Sequence, residues 1–183
     1  TSGAIYTSYD RARCRSVETI QRSEPLHIGQ DFNVNNMASV VCVRRGDTWH
    51  AVDELKGLAD TPHLIKTLQQ RYEGHHITVY PDASGGSTKT INASTSDLQL
   101  LRNAGFSIRA PKANPRVKDR ILAMNAALEK DRLFINDKAC PDTSEALEQQ
   151  AYDKNGEPDK GIGHDHHNDA LGYLAHQRMP VVK

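Results

Sequence analysis

Aspartates occupy positions along this chain that are suited to catalysis. Asp31 ends the predicted strand in LHIGQDFN, and Asp82 follows the apolar run ITVY after one proline. Residues at the ends of neighbouring strands can reach into one cleft at the edge of a sheet. Asp169 lies in the first turn of a predicted helix in HDHHNDALGYLA, and Asp165, four residues earlier, shares its face. We therefore expect Asp31, Asp82 and Asp169 to form one acidic site, with Asp165 as a fourth member.

An acidic cluster of this kind is suited to divalent metal ions. Several carboxylates within a few ångströms repel one another and take up protons unless a cation neutralises them. Ligand sets made only of oxygen atoms suit Mg²⁺ or Mn²⁺. Two such ions about 3.5–4 Å apart orient an attacking water and stabilise the leaving oxygen of a phosphodiester. The aspartates therefore predict metal-assisted phosphodiester hydrolysis.

Each aspartate also has a purely structural interpretation. Asp31 and Asp82 could be turn residues, because aspartate is common where a strand ends. Asp169 could complement the helix dipole, and Asp165 could be an N-cap residue. Whether Asp165 is a metal ligand or a cap stays open on the sequence alone.

A local excess of positive charge lies between residues 109 and 132, which include seven basic and three acidic residues. The whole chain is neutral, with 23 residues of each sign, so this excess belongs to the segment. The phosphates of a nucleic-acid backbone are the groups that such a segment fits. We expect DNA contacts from Lys89 in the loop PDASGGSTKT and from four residues of the segment: Lys112, Arg116, Lys118 and Arg120.

Three histidines, His164, His166 and His167, adjoin the aspartates of the last helix. They lack the cysteine pair or the H-E-x-x-H arrangement of common zinc sites. We expect a histidine here to contact the scissile phosphate or to hydrogen-bond a metal-bound carboxylate. The run GGSTKT lacks the spacing of a phosphate-binding loop, so it predicts no nucleotide site.

The elements that must position these residues follow from the spacing of apolar side chains. Three β segments come first: LHIGQDFN, then residues 38–45 and 48–55. Helices are predicted over 61–71, 96–103, 115–130, 142–152 and 165–177, with strands ITVY, FSIRA and RLFIN between them. This order predicts an α/β fold with a central mixed sheet, in which a three-strand antiparallel meander is followed by parallel strands and flanked by helices.

Length and composition limit the class of protein. A chain of 183 residues fits one domain, and a hydrophobic share of 37% is too high for a disordered chain. Residues 1–25 lack apolar periodicity and predict an arm or interdomain linker, which leaves 26–183 as the domain. No apolar run approaches the roughly 18 residues of a membrane span. Three widely spaced cysteines favour a reducing, cytosolic compartment.

Four motifs in this order resemble a known family, the C-terminal nuclease domain of the large terminase subunit of tailed bacteriophages, especially the P22-like phages. The motifs are IGQDFN, VYPDASG, APKANPRVKDRILAMNAAL and HDHHNDALGYLAH, and the resemblance covers roughly residues 26–178. It implies a ribonuclease H-like fold and an endonuclease that cuts concatemeric viral DNA during genome packaging. By position, Asp31 resembles the family's first-strand aspartate, Asp82 its second acidic ligand and Asp169 its helical aspartate.

The resemblance also implies partners. Large terminases join a packaging ATPase to the nuclease, and this chain contains no Walker A motif, so we expect only the nuclease part here. The implied partners are double-stranded DNA, the portal ring, the small terminase subunit and the ATPase domain of the same polypeptide. The implied location is the host cytoplasm, outside the virion.

Two other functions fit the same residues. A junction resolvase or transposase would share the fold and the metals but prefer a different DNA shape. A non-catalytic module would use its charged faces to dock on a partner such as the portal ring, without cleaving DNA. Comparing the cleavage of linear and branched DNA distinguishes a junction resolvase or transposase from a terminase nuclease. Metal-dependent cleavage of DNA distinguishes a nuclease from a non-catalytic docking module.

Overall fold

The computed structural model describes residues 3–33, 35–82, 95–161, 163 and 165–181. The strands in these ranges are β1 (Leu26–Asp31), β2 (Met37–Arg45), β3 (Thr48–Leu58), β4 (Ile77–Tyr80), β5 (Ser107–Ile108) and β6 (Leu133–Ile135). They form one sheet in the order β5-β4-β1-β2-β3-β6. β1, β2 and β3 pair antiparallel, whereas β4, β5 and β6 join the sheet in parallel. The predicted mixed sheet is confirmed.

Helices flank both faces of the sheet. In the described part of the chain they are α1 (Thr61–Arg71), α2 (Thr95–Asn103), α3 (Val117–Glu129), α4 (Pro141–Gln149) and α5 (Asp165–Arg178). α4 ends before the predicted boundary because Gln150 is extended and Ala151 makes a β-bridge with Ala4. None of these helices is long and apolar enough to cross a membrane.

Each face of the sheet has its own apolar core. Ile28 packs with Leu64 and Leu68 of α1 and with the buried leucines of α2 on one face. On the other face, Met124 of α3 and Leu171 of α5 pack around Trp49. Because successive side chains of a strand alternate between faces, β1 directs Ile28 to the first core and Gly29 to α5.

The N-terminal segment, residues 3–25, contains no regular helix or strand but is packed onto the domain. Ile5 and Cys14 are 2% and 1% exposed and belong to the core that contains α3 and α5. The Ser16 hydroxyl lies 2.7 Å from Nδ1 of His50 on β3. This differs from the arm predicted for residues 1–25. The few apolar residues of the segment are irregularly spaced, so they carry no periodic signal although they are buried.

Candidate metal centre

Parallel pairing of β1 and β4 brings Asp31 and Asp82 to one edge of the sheet. Gly29 lies opposite Tyr80 in the register of these strands, so Asp31 and Asp82 each lie two residues beyond this pair. Asp31 is the last residue of β1, and Asp82 follows the end of β4 by two residues. Their exposed fractions are only 7% and 3%. Both strand-end carboxylates therefore lie at the same edge, in buried surroundings.

Helix α5 adds two further aspartates because it packs directly on β1. A Cβ atom at Gly29 would lie 2.1 Å from the carbonyl oxygen of Ala170 and 2.7 Å from its carbonyl carbon. Only glycine therefore permits this approach of strand and helix. Asp169 precedes Ala170, and Asp165 lies one turn earlier as the first residue of α5. The contact holds the first turns of α5 beside the end of β1.

Among the described residues, the contacts of the acidic cluster leave a buried carboxylate oxygen without a hydrogen bond. His166 Nδ1 donates a hydrogen bond to Asp31 Oδ2 at 2.8 Å, and Arg120 Nη1 donates to Asp169 Oδ1 at 3.0 Å. Asp165 Oδ1 is buried and has no hydrogen-bond partner in the described structure; Nε2 of His166 lies 3.8 Å from it, which is too far for such a bond. A buried carboxylate oxygen in this state is a position that a bound cation would satisfy. The residues present therefore fit a divalent metal ion.

The pKa of Asp31 reflects both its burial and the neighbouring negative charges. Burial raises the pKa of Asp31 above its ordinary value; the hydrogen bond from His166 opposes this shift, and the charges of Asp169 and Asp165 add to it. The hydrogen bond to Asp31 raises the pKa of His166, against the effect of burial. A protonated His166 is therefore favoured beside the carboxylates and partly neutralises them.

A cleft of about 410 Å³ opens over this cluster. Burial raises the pKa of Tyr173, and the charges of Asp169, Asp82 and Asp31 raise it further, so the phenol lies near all three carboxylates. The cleft is lined by Asp31, Asn33, Lys160, Asp165, His166, Asp169 and Tyr173. Of these, Asn33, Lys160 and Tyr173 were not predicted. Only Tyr173 had a signal in the sequence, since it lies one helical turn after Asp169.

Arg120 does not lie on the exposed basic face where the sequence placed it. It is 8% exposed, pairs with Asp169, and holds its guanidinium carbon 4.7 Å from the ring centre of Tyr173. The predicted contact with DNA phosphates therefore does not fit this residue, which supports the acidic site instead. Gly172 of α5 lies beside the Arg120 side chain, and a Cβ there would be 3.6 Å from Arg120 Nη1, an ordinary contact distance.

Lys112, Arg116, Lys118 and His167 are not among the residues that line the cleft. Lys112, Arg116 and Lys118 are exposed before and within the first turn of α3, and Arg116 pairs with Asp119 at 3.1 Å. His167 is buried and does not line the cleft. Lys89 and His164 lie outside the described residues.

Replacing Arg120 by methionine is expected to destabilise the metal-free protein by about 2–4 kcal/mol, because Asp169 then stays largely buried without its counter-ion. The measurement is urea unfolding in EDTA. The control on the same helix is Arg116→Met, which removes an exposed ion pair and is expected to cost at most about 1 kcal/mol. Equal losses from the two variants would contradict a structural role for the Arg120–Asp169 pair.

Comparisons with known proteins agree with this architecture. The family model described as "Terminase RNaseH-like domain" matches residues 28–178. The large terminase of a thermophilic bacteriophage superposes with a TM-score of 0.75 at 20% identity, over 96% of this chain and 44% of that one. The nuclease domain of the P22 large terminase gives 0.75 at 17% identity, over 98% and 94% of the two chains. A comparison with curated protein sequences gives no match.

A further solved structure, the large terminase nuclease from thermophilic phage G20c with bound magnesium, gives a TM-score of 0.68 at 17% identity, over 97% and 98% of the chains. At these identities the likeness shows the fold, and the predicted ribonuclease H-like fold is confirmed. The chain spans less than half of the full-length large terminase but nearly all of the two nuclease domains.

Proposed function

Because the chain belongs to the Terminase RNaseH-like domain family, we propose that it is the nuclease part of a bacteriophage large terminase and cuts concatemeric viral DNA during genome packaging. The observation that carries the proposal is the convergence of acids from β1, β4 and α5 at one sheet edge. The buried Asp165 Oδ1, which has no hydrogen-bond partner among the described residues, supports a cation site at this edge. Solved terminase nucleases of the same fold include one with bound magnesium and one with bound manganese.

Asp31, Asp82 and Asp169 would hold Mg²⁺ or Mn²⁺, and Asp165 would join them through its Oδ1 atom. When bound, a pair of such ions would activate a water and stabilise charge on the leaving oxygen of the phosphodiester. The side chains of the protein determine where these ions would bind. Burial keeps the carboxylates in a defined geometry, and Arg120 fixes the orientation of Asp169 through their 3.0 Å hydrogen bond.

His166 and Lys160 provide positive charge at the same cleft. His166 is oriented by its hydrogen bond to Asp31 and carries a raised pKa. Lys160 is exposed, so its ammonium group can meet an incoming phosphate at the surface. Both side chains would bind the negatively charged backbone of the DNA beside the acidic cluster.

The N-terminal end of α3 would extend this contact surface. Arg120 pairs α3 with Asp169 of the acidic cluster, and exposed cations lie before and within the first turn of the same helix. These cations are Lys112, Arg116 and Lys118. They would bind backbone phosphates without reading the sequence, and their contribution should fall as salt concentration rises.

The proposal includes the assembly in which the nuclease works. An ATPase domain of the same polypeptide, the small terminase subunit and the portal ring are the proposed partners, acting in the host cytoplasm. This chain covers 44% of a large terminase of similar fold. That coverage supports the ATPase domain among these partners.

Incubation with supercoiled plasmid tests the proposed activity. We expect nicked and linear products in Mg²⁺ or Mn²⁺ and none in EDTA, because the carboxylates need a divalent ion to act on a phosphodiester. Circular dichroism in the same buffers checks that EDTA leaves the fold intact. A folded protein that cuts equally well in EDTA, or that cuts in neither metal, would overturn the assignment as a metal-dependent endonuclease.

A further inference from the structure

A second group of metal-binding side chains meets behind the first turn of α5. Glu54 comes from β3, Asp142 from α4 and His167 from α5. One ligand atom from each lies within 4.8 Å of the other two. None of the three lines the cleft over Asp31. Asp142 and His167 line a neighbouring cavity of about 220 Å³ instead, which has room for an ion and its water molecules.

His167 is the part of this group that hydrogen bonding leaves unexplained. The residue is only 7% exposed, and its Nε2 atom is buried with no hydrogen-bond partner among the described residues. The Leu55 backbone is a hydrogen-bonding neighbour of the ring. In metal sites a backbone contact of this kind fixes the ring so that its other nitrogen can bind the ion. An unsatisfied buried nitrogen is costly, and a metal ion beside two carboxylates would satisfy it.

The carboxylate of Glu54 is already oriented for such a site. It accepts hydrogen bonds from the backbone N–H groups of Asp142 and Thr143, at 2.9 and 2.8 Å, and from the Thr143 hydroxyl at 2.7 Å. These bonds attach the start of α4 to β3. A carboxylate has about four lone-pair positions, so Glu54 keeps capacity for an ion.

Asp142 forms an ion pair with a lysine that a metal ion could displace. Its Oδ2 atom lies 2.9 Å from Nζ of Lys56, whose side chain is 70% exposed. An exposed ion pair of this kind contributes little to stability. Lys56 can therefore leave for solvent when a divalent ion binds, but its charge competes with that ion while it stays.

We propose that Glu54, Asp142 and His167 form a second metal site that takes Zn²⁺ and joins α5 to β3 and α4. The imidazole favours Zn²⁺ over Mg²⁺, which prefers oxygen ligands. His167 lies between Asp165 and Asp169, so an ion here would hold the turn that carries both acids of the catalytic cluster. The site does not depend on the proposed nuclease activity.

Calorimetric titration of the whole chain with Zn²⁺, Mn²⁺ and Mg²⁺ tests this site. The background variant Asp31→Asn/Asp169→Asn weakens the acidic cluster, so binding that remains reports on the second site. We expect about one Zn²⁺ per chain and no comparable Mg²⁺ binding. His167→Gln should weaken Zn²⁺ binding at least about tenfold by removing a ligand. Lys56→Met should tighten it severalfold by removing a competing charge, whereas the exposed control Lys66→Met should leave it unchanged.

The anomalous signal of crystals soaked in Zn²⁺ locates the ion directly and should give a peak between the three side chains. Unchanged Zn²⁺ affinity in both His167→Gln and Lys56→Met would overturn the proposal. The three side chains would then be a polar contact between α4, α5 and β3. If His167→Gln does not fold, Lys56→Met alone decides, because Lys56 is exposed and its loss leaves the core unchanged.

Discussion

Asp31→Asn is expected to lower plasmid cleavage by roughly a thousandfold or more, equivalent to about 4 kcal/mol of transition-state stabilisation. The amide keeps the shape of the side chain but cannot supply the negative charge that a divalent ion requires. Thermal unfolding should also show a smaller Mn²⁺-dependent stabilisation than in the wild type. Single-turnover cleavage and thermal shift measure the two effects on the same preparation.

The stability of the Asp31→Asn variant in EDTA distinguishes a metal-binding role of Asp31 from a structural role. Because burial raises the pKa of Asp31, its charged form is disfavoured in the metal-free fold, and a neutral amide should not lower the unfolding midpoint. The control is Asp47→Asn, at the turn between β2 and β3. β2 runs antiparallel to β1, so this carboxylate lies at the opposite edge of the sheet. If Asp31→Asn cuts DNA as fast as Asp47→Asn, Asp31 is not a metal ligand.

Gly29→Ala is expected to destabilise the protein by about 3 kcal/mol or more and to remove cleavage. The new Cβ would meet the backbone of Ala170 at 2.1 Å, and backbone atoms in a packed helix cannot move aside as a flexible side chain does. α5 must therefore shift away from β1, which separates Asp165 and Asp169 from Asp31. Urea unfolding and cleavage in Mn²⁺ measure both consequences.

Gly172→Ala is the matched control for this prediction. It adds the same methyl group to α5 itself, where the nearest atoms are Arg120 side-chain atoms at 3.6–3.7 Å, an ordinary contact distance. Alanine is preferred over glycine inside a helix by about 1 kcal/mol, so this variant should be as stable as the wild type or more so. If Gly29→Ala is equally well tolerated, the close approach of β1 and α5 does not position the site.

The framework of the site could be predicted because its signals are local. The run ITVY and the residues before Asp31 alternate or cluster as buried strands do, and carboxylates at their ends follow directly from position in the chain. The meander and the alternating elements predicted the mixed sheet for the same reason. Asp169 and Asp165 were placed on one helical face by their spacing of four residues.

Other features depend on contacts between distant parts of the chain and leave no local signal. Arg120 has the sequence surroundings of an exposed basic helix, yet packing of α3 against α5 buries it beside Asp169. The N-terminal segment lacks periodicity, yet Ile5 is buried in the core. Lys160 comes from a loop whose path no spacing rule predicts.

Hydrophobic periodicity and turn chemistry act over a few residues, so the strands, the helices and the carboxylates of the candidate metal site could be predicted from the amino-acid order alone. Which charged side chains contact one another depends on how distant segments pack together. Parallel pairing of β1 with β4 and the contact of Gly29 with Ala170 bring residues from distant parts of the chain to one edge. The same packing pairs Asp169 with Arg120, leaves Asp165 Oδ1 without a hydrogen bond among the described residues, and places His167 outside the cleft, close to Glu54 and Asp142.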